Sequence, residues 1–119
     1  LNPKRLPPYK DTWIRTDGKL PSDQTIQQAF LLYISDMGLL AAANNSVGVN
    51  FLTKNFQNAS LDHAMWFHRK IDLDGWFLYS IDSPITRNAR GFSRGSIFSR
   101  DGKLIASCSQ EGLIRLWDN

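Results

Sequence analysis

The sequence predicts an α+β domain in which a curved antiparallel sheet of about five or six strands wraps one long central helix. Three observations carry this. Only one segment has sustained helical spacing, with Ile26, Ala29, Phe30, Tyr33, Met37, Leu40 and Ala41 on one face. Leu31, Leu32, Ile34 and Leu39 fill most of the rest, so the helix is apolar nearly all round and needs cover on most sides. Everything after it reads as strand and turn. A sheet that covers such a helix must curl around it, which is the hotdog arrangement. A generic α+β sandwich with the helix on one face is the alternative.

Taken in order, residues 1–10 hold Pro3, Pro7 and Pro8 among Lys4, Arg5 and Lys10, and read as an extended lead-in or linker. The domain proper is expected over residues 11–119. Thr12 to Thr16 alternates like a short strand, and Asp17-Gly18 turns the chain. Ser22 or Asp23, after Pro21, can cap the first free N–H groups of the helix. Asn44-Asn45-Ser46 and Gly48 end it. Strands are expected over Ser60 to Phe67, Trp76 to Ile81 (ended by Ser83-Pro84) and Gly91 to Ser99. Arg100-Asp101-Gly102-Lys103 is a hairpin signal, and Leu104 to Trp117 is the last strand, with Gly112 marking a bulge or turn.

The closing stretch, ending in Leu116-Trp117-Asp118, resembles one blade of a WD40 propeller. A blade needs roughly 40 to 45 residues and a propeller about four to eight blades. With 119 residues and one copy of the motif, the chain is too short, and that reading is rejected. The composition, 42% hydrophobic with a net charge of +3, is that of a single globular domain. The cations are scattered, so no nucleic-acid partner is expected. The apolar run from Ala29 to Ala43 is broken by Ser35, Asp36 and Gly38, and no membrane span or signal peptide is expected. Cys108 is the single cysteine, which leans towards a reducing compartment. A cytoplasmic setting is expected. A peroxisomal one is the alternative, although no targeting tripeptide ends the chain.

Several polar residues stand out. Asp36 sits in the apolar helix stretch "LLYISDMGLL", where a buried carboxylate needs partners; a solvated helix edge is the bland explanation. Gly38 costs a helix about 1 kcal/mol relative to alanine and suggests close approach of another group. In "SLDHAMWFHR", His63 and His68 diverge on either a strand or a helix, so they form no metal site, and ordinary hydrogen-bonded strand histidines are preferred. A regular strand would put Ser60, Asp62, Ala64, Trp66 and His68 on one face and Leu61, His63, Met65 and Phe67 on the other. "ARGFSRG" lacks phosphate-loop spacing and reads as a Gly-punctuated strand, with Arg90 or Arg94 as candidate phosphate contacts. Gln110 is polar within the apolar run "LIASCSQEGLIRLW", where its bland reading is a bulge residue that satisfies its own backbone.

"YISDMGLL", "SLDHAMWFHR", "WFLYSIDSP", "ARGFSRG" and "DGKLIASCSQEGLIR" stand in this order and together resemble the C-terminal half of the acyl-CoA thioesterase II family. The resemblance runs from about Thr12 to Arg115. It implies a double-hotdog protein that hydrolyses acyl-CoA to free acid and CoA, with no cofactor and no metal. It also implies that Asp36, Ser60 and Gln110 orient and activate the attacking water. Gly38, Arg90 and Arg94 are the candidate substrate contacts. The expected partners are the acyl-CoA substrate and a second hotdog unit, either an N-terminal domain or another copy. The competing reading is a non-catalytic hotdog module for acyl binding or assembly.

Overall fold

The computed structural model describes residues 5–49 and 53–117. The first four residues of the expected lead-in and Asp118 lie outside the described residues. The elements are β1 (Tyr9–Ile14), α1 (Gln24–Ser35), α2 (Leu39–Val47), β2 (Phe56–Ser60), β3 (Ala64–Phe67), β4 (Phe77–Arg87), β5 (Arg90–Phe98) and β6 (Leu104–Leu116). All strand pairs are antiparallel. The order across the single sheet is β1-β4-β5-β6-β2, and β3 also pairs with β6. The sheet packs its inner face against the helices, which is the expected hotdog arrangement.

The helix begins as its sequence implies. Asp23 is the N-cap, and its Oδ1 accepts from the Thr25 N–H at 2.8 Å. It does not run unbroken. α1 stops at Ser35, Asp36 is its C-cap, and α2 starts after Gly38. Gly38 has φ +95°, a conformation open to glycine and strained for other residues. It therefore forms the joint between two helices, where the sequence reading expects a helical glycine. Gly48, at φ +72°, closes α2.

The buried side of the helices also differs from the expected one. Gln27, Leu31, Ile34, Ser35, Leu39, Ala42 and Ala43 are buried. Tyr33 and Met37, on the predicted face, are 68% and 51% exposed. Periodicity could not choose between the faces, because both are apolar. What decides is fit: small Ala42 and Ala43 let α2 lie close to the sheet at Gly91, where an added Cβ would come within 2.6 Å of the Ala43 Cβ. Counted across the joint, Gln24–Val47 is 24 residues and by length and composition could cross a bilayer. That is longer than the Ala29–Ala43 run; within it Leu31, Leu39 and Ala42 are fully buried in the core.

The core lies between these helices and Phe77, Tyr79 and Ile81 of β4, Ile97 of β5, and Ala106 and Cys108 of β6. Each large apolar side chain buried there contributes about 1.5–3 kcal/mol. Two glutamines fasten the N-terminal end of α1. Gln24 exchanges hydrogen bonds with the Ile71 backbone at 2.7 and 2.8 Å, and Gln27 Oε1 accepts from the Leu73 N–H at 3.1 Å.

Three strand expectations need correction. The expected lead-in joins the domain. The Leu6 N–H donates to Asn45 O at 2.8 Å, Pro8 O accepts from the Ser83 N–H at 2.7 Å, and β1 starts at Tyr9. β4 continues through Ser83-Pro84, because the ladder to β5 shifts register between Asp82 and Ile85 and accommodates the proline. The expected Ser60–Phe67 strand is split into β2 and β3. The Arg100–Lys103 hairpin and the long last strand are as expected.

Tyr79 is the largest fully buried side chain, and its hydroxyl donates to the Ser35 carbonyl. A Cβ at Gly95 would lie 2.4 Å from its ring, so Gly95 is glycine because the ring passes there. Gly95→Ala is expected to destabilise the fold by about 1–3 kcal/mol through overpacking. A lowered urea midpoint at unchanged slope measures this. Burial, then the neighbouring Cys108 thiol, push the Tyr79 phenol well above its ordinary value near 10.0. The unfolded chain would therefore lose this proton first. The contribution is complete below about pH 10 and shrinks as pH rises beyond it. Urea titrations at pH values on both sides of 10 should show a shallower alkaline loss of stability in Tyr79→Phe than in the parent. An equal loss in both chains would refute the assignment.

Candidate functional site

β2 and β3 pair with the same side of β6 but not in one register. Ser60 faces Gly112 and Ala64 faces Ser109, so one strand advances four residues where β6 advances three. The extra residue lies in the Leu61-Asp62-His63 connection. The β5–β6 ladder runs without a shift from Arg90↔Leu113 through Gly91↔Gly112 to Ser93↔Gln110, so the expected bulge at Gly112 is absent. The irregularity sits on the opposing strand instead.

A one-residue insertion exchanges the faces of everything beyond it. Ser60 shares the inner face with Gly112, and Met65, opposite the buried Cys108, shares it too. His63 also turns inward, to Ser35 of α1 and Gln110 of β6. The regular-strand expectation that Ser60 and His63 point apart therefore fails. The connection is itself held to β6: the Leu61 N–H donates to Glu111 O at 2.9 Å, and Asp62 Oδ1 accepts from the Glu111 N–H at 2.7 Å.

Asp36 and Ser60 open into one depression of about 910 Å³, lined also by Ala29, Leu32, Tyr33, Met37 and Leu61–His63. Both residues are exposed, so Asp36 is not the buried carboxylate that its apolar neighbours suggest. The cause is its position as C-cap at the joint, where the chain leaves the packed face. Gln110, by contrast, is 2% exposed and lies behind His63. His63 Nδ1 is 2.9 Å from Gln110 Oε1, and His63 Nε2 is 2.8 Å from Ser35 Oγ. Gln110 Nε2 is buried without a hydrogen-bond partner. His63 is thus the residue that the sequence reading passes over. Its signal is faint, because only the inserted residue turns it inward.

His68 points away, to Ser107 Oγ at 2.9 Å, so the two histidines diverge as expected. Gly38 adjoins the depression through Met37 but serves as the helix joint; its nearest non-local groups are Ile81 and Lys10. Arg90 and Arg94 alternate with the buried Gly91, Ser93 and Gly95 on β5 and so lie on the outer face of the sheet. Arg90 pairs with Glu111 at 3.0 Å, and Arg94 grips Asp82 with three contacts of 2.8–3.1 Å. Neither reaches the depression. Among the described residues, no group of three or more metal-ligating side chains converges.

An exposed carboxylate and a hydroxyl at one open depression, with a buried amide behind its His63 wall, are groups that can hold and deprotonate a water. The chain is similar to proteins named as thioesterases. A sequence model of the family described as Acyl-CoA thioesterase matches residues 1–113. Acyl-CoA thioesterase 2 of Haemophilus influenzae is 43% identical over 115 residues, covering 97% of this chain and 40% of that protein. Mouse acyl-coenzyme A thioesterase 8 is 38% identical over 116 residues, covering 93% of this chain and 34% of the relative. Among solved structures, acyl-CoA thioesterase II TesB2 from Mycobacterium marinum superposes with a TM-score of 0.81 at 38% identity, covering 92% of this chain and 42% of that one. The smu.793 protein of Streptococcus mutans, at 7% identity and a TM-score of 0.74, shares the fold alone. The chain spans about two fifths or less of the length of these curated relatives. On the family match and these identities, the chain belongs to the acyl-CoA thioesterase family.

Proposed function

We propose that this chain is the C-terminal hotdog unit of an acyl-CoA thioesterase and hydrolyses acyl-CoA thioesters to free fatty acid and CoA. The observation that carries the reading is the meeting of Asp36 and Ser60 in one depression, with His63 at its wall and Gln110 bonded behind it. Asp36 takes a proton from a bound water as its oxygen attacks the thioester carbonyl carbon. The C–S bond then breaks, the sulfur leaves with its electron pair, and the proton passes to the CoA thiolate. Ser60 and Gln110 fix the direction of the water by hydrogen bonds. The acyl chain lies along Ala29, Leu32, Tyr33 and Met37, an apolar lining already exposed on α1 and the joint.

The depression is open and its apolar rim uncovered, which suits closure by a second hotdog unit, either another domain of the same polypeptide or a second copy. Exclusion of water by that unit strengthens the Asp36–water interaction. Arg90 and Arg94 have no part in this scheme, because both are held by carboxylates on the outer face. The lone free Cys108 suits a reducing, cytoplasmic setting.

In the assembled protein, Asp36→Asn is expected to lower kcat by about 10²–10⁴-fold, the range for loss of a general base. Ser60→Ala and Gln110→Ala are expected to lower it by about 10²-fold through misplacement of the water. Release of CoA thiol from acyl-CoA, followed with a thiol reagent, measures all three. Full turnover by Asp36→Asn would remove the water-activation scheme. Light scattering paired with the same assay should find activity in the associated species, and an active monomer would contradict the need for a second unit.

A further inference from the structure

Ser35 has one hydroxyl hydrogen and two neighbours for it. Its Oγ lies 2.7 Å from the Leu32 carbonyl, i−3 on the same helix, and 2.8 Å from His63 Nε2. The carbonyl can only accept. When the Ser35 O–H donates to Leu32, Nε2 must carry a hydrogen and donate to Oγ. A neutral imidazole then has a bare Nδ1, and that atom is 2.9 Å from the Gln110 amide. A bare nitrogen repels a carbonyl oxygen and accepts from an NH2 group. A half-turn of the amide exchanges its two ends with almost no change of shape.

Two hydrogen-bond arrangements therefore compete. In one, Ser35 gives its hydrogen to His63 Nε2, Nδ1–H donates to Gln110 Oε1, and the buried Nε2 of Gln110 keeps both hydrogens without a protein partner. The Leu32 carbonyl then loses its hydroxyl. In the other, Ser35 donates to Leu32, His63 Nε2–H donates to Ser35, and a Gln110 N–H donates to Nδ1. One Gln110 N–H and the Oε1 acceptor, now at the free end, await partners, against two N–H groups in the first arrangement. The second arrangement satisfies more groups, and an unmatched buried donor costs about 1–3 kcal/mol.

We propose that His63 is a positioning residue: as the Nε2–H tautomer held by Ser35, it turns the Gln110 amide so that Oε1 faces the bound water. This rests on the thioesterase reading for its consequence but not for its geometry. A water about to attack has two hydrogens to place and must keep one lone pair free. Asp36 takes one hydrogen and Gln110 Oε1 the other. An NH2 group at that point would instead bind the lone pair. His63 thereby decides whether the amide aids or blocks the nucleophile without itself touching it.

Nuclear magnetic resonance of the 119-residue chain tests the tautomer without any assay. Of its two histidines, His68→Gln leaves the His63 signals alone for assignment. Long-range ¹H–¹⁵N correlation at or above neutral pH should show Nε2 protonated and Nδ1 bare, with a coupling from a Gln110 side-chain N–H to Nδ1. In Gln110→Glu, whose carboxylate only accepts, Nδ1 should gain a hydrogen. A protonated Nδ1 in the parent chain, as the other neutral form or as the cation, overturns the proposal. In the assembled enzyme His63→Leu should lower kcat by about 100-fold, with KM changed less than about 3-fold. Unchanged kcat beside the expected tautomer would likewise overturn it. Failure of Asp36→Asn to affect turnover would remove the reaction scheme while leaving the tautomer result intact.

Discussion

The hydrogen bond from the Tyr79 hydroxyl to the Ser35 carbonyl is the contact on which the site depends. A helix that stops leaves its last carbonyls without intrahelical donors. α1 stops at Ser35 against the sheet, where water cannot reach to replace them, since Ser35 is fully buried. Tyr79 supplies the donor from near the start of β4. Room for its ring is made across the ladder by Gly95, and Cys108 Sγ sits 3.1 Å from the hydroxyl. With the carbonyl of Ser35 fixed from one side, its hydroxyl is aimed at His63 on the other. One residue thus links β4, the helix end, the β2–β3 connection and, through His63, Gln110 of β6. Asp36 is the next residue in the chain, so its position follows from the same anchor.

The second constraint is the extra residue in Leu61-Asp62-His63. Without it, Ser60 and His63 would lie on opposite faces of the sheet. With it, Ser60 stays inside beside Gly112, while His63 turns in beside Gln110. The insertion is held in place by the pair of hydrogen bonds between Leu61, Asp62 and Glu111, so it is a fixed feature of the edge. Here Asp62 acts in place of backbone: its carboxylate accepts the Glu111 N–H that a regular ladder would have paired. The acid next to His63 is therefore committed to the strand, which leaves Asp36 and not Asp62 as the free carboxylate at the depression.

Much of this was legible in the residues. The Asp23 cap, the Gly48 stop, the Arg100–Lys103 hairpin and the long last strand follow from local chemistry that tertiary packing leaves unchanged. What escaped depends on long-range fit. The helix has two apolar faces, and close packing such as that of Ala43 against Gly91 chooses between them. The joint at Gly38 reads equally well as a glycine inside a helix until a positive φ is seen. The bulge could be expected near Gln110-Glu111-Gly112, yet it lies on the partner strand, and Gly112 has another use. A Cβ there would meet Leu40 Cδ2 at 2.0 Å, so that glycine serves helix packing. His63 reads as an ordinary strand histidine because strand parity is defined only while the strand is regular.

The contrast between Gln110 and the other two polar groups bears on how such a site works. Gln110 is buried with one amide end unmatched among the described residues, which costs stability until a partner satisfies it. Asp36 and Ser60 are exposed, so nothing in this unit dries them. Half of the arrangement is thus rigid and desolvated before substrate arrives, and half is wet. Tyr33 and Met37, 68% and 51% exposed at the same depression, are the side chains that a second hotdog unit or an acyl chain would cover. Covering them would remove water from Asp36 and from the Ser60 hydroxyl beside it. Precision thus sits where the helix end meets the sheet, with His63 and Ser35 holding the amide, and the exposed apolar side chains of α1 are left for whatever closes the depression.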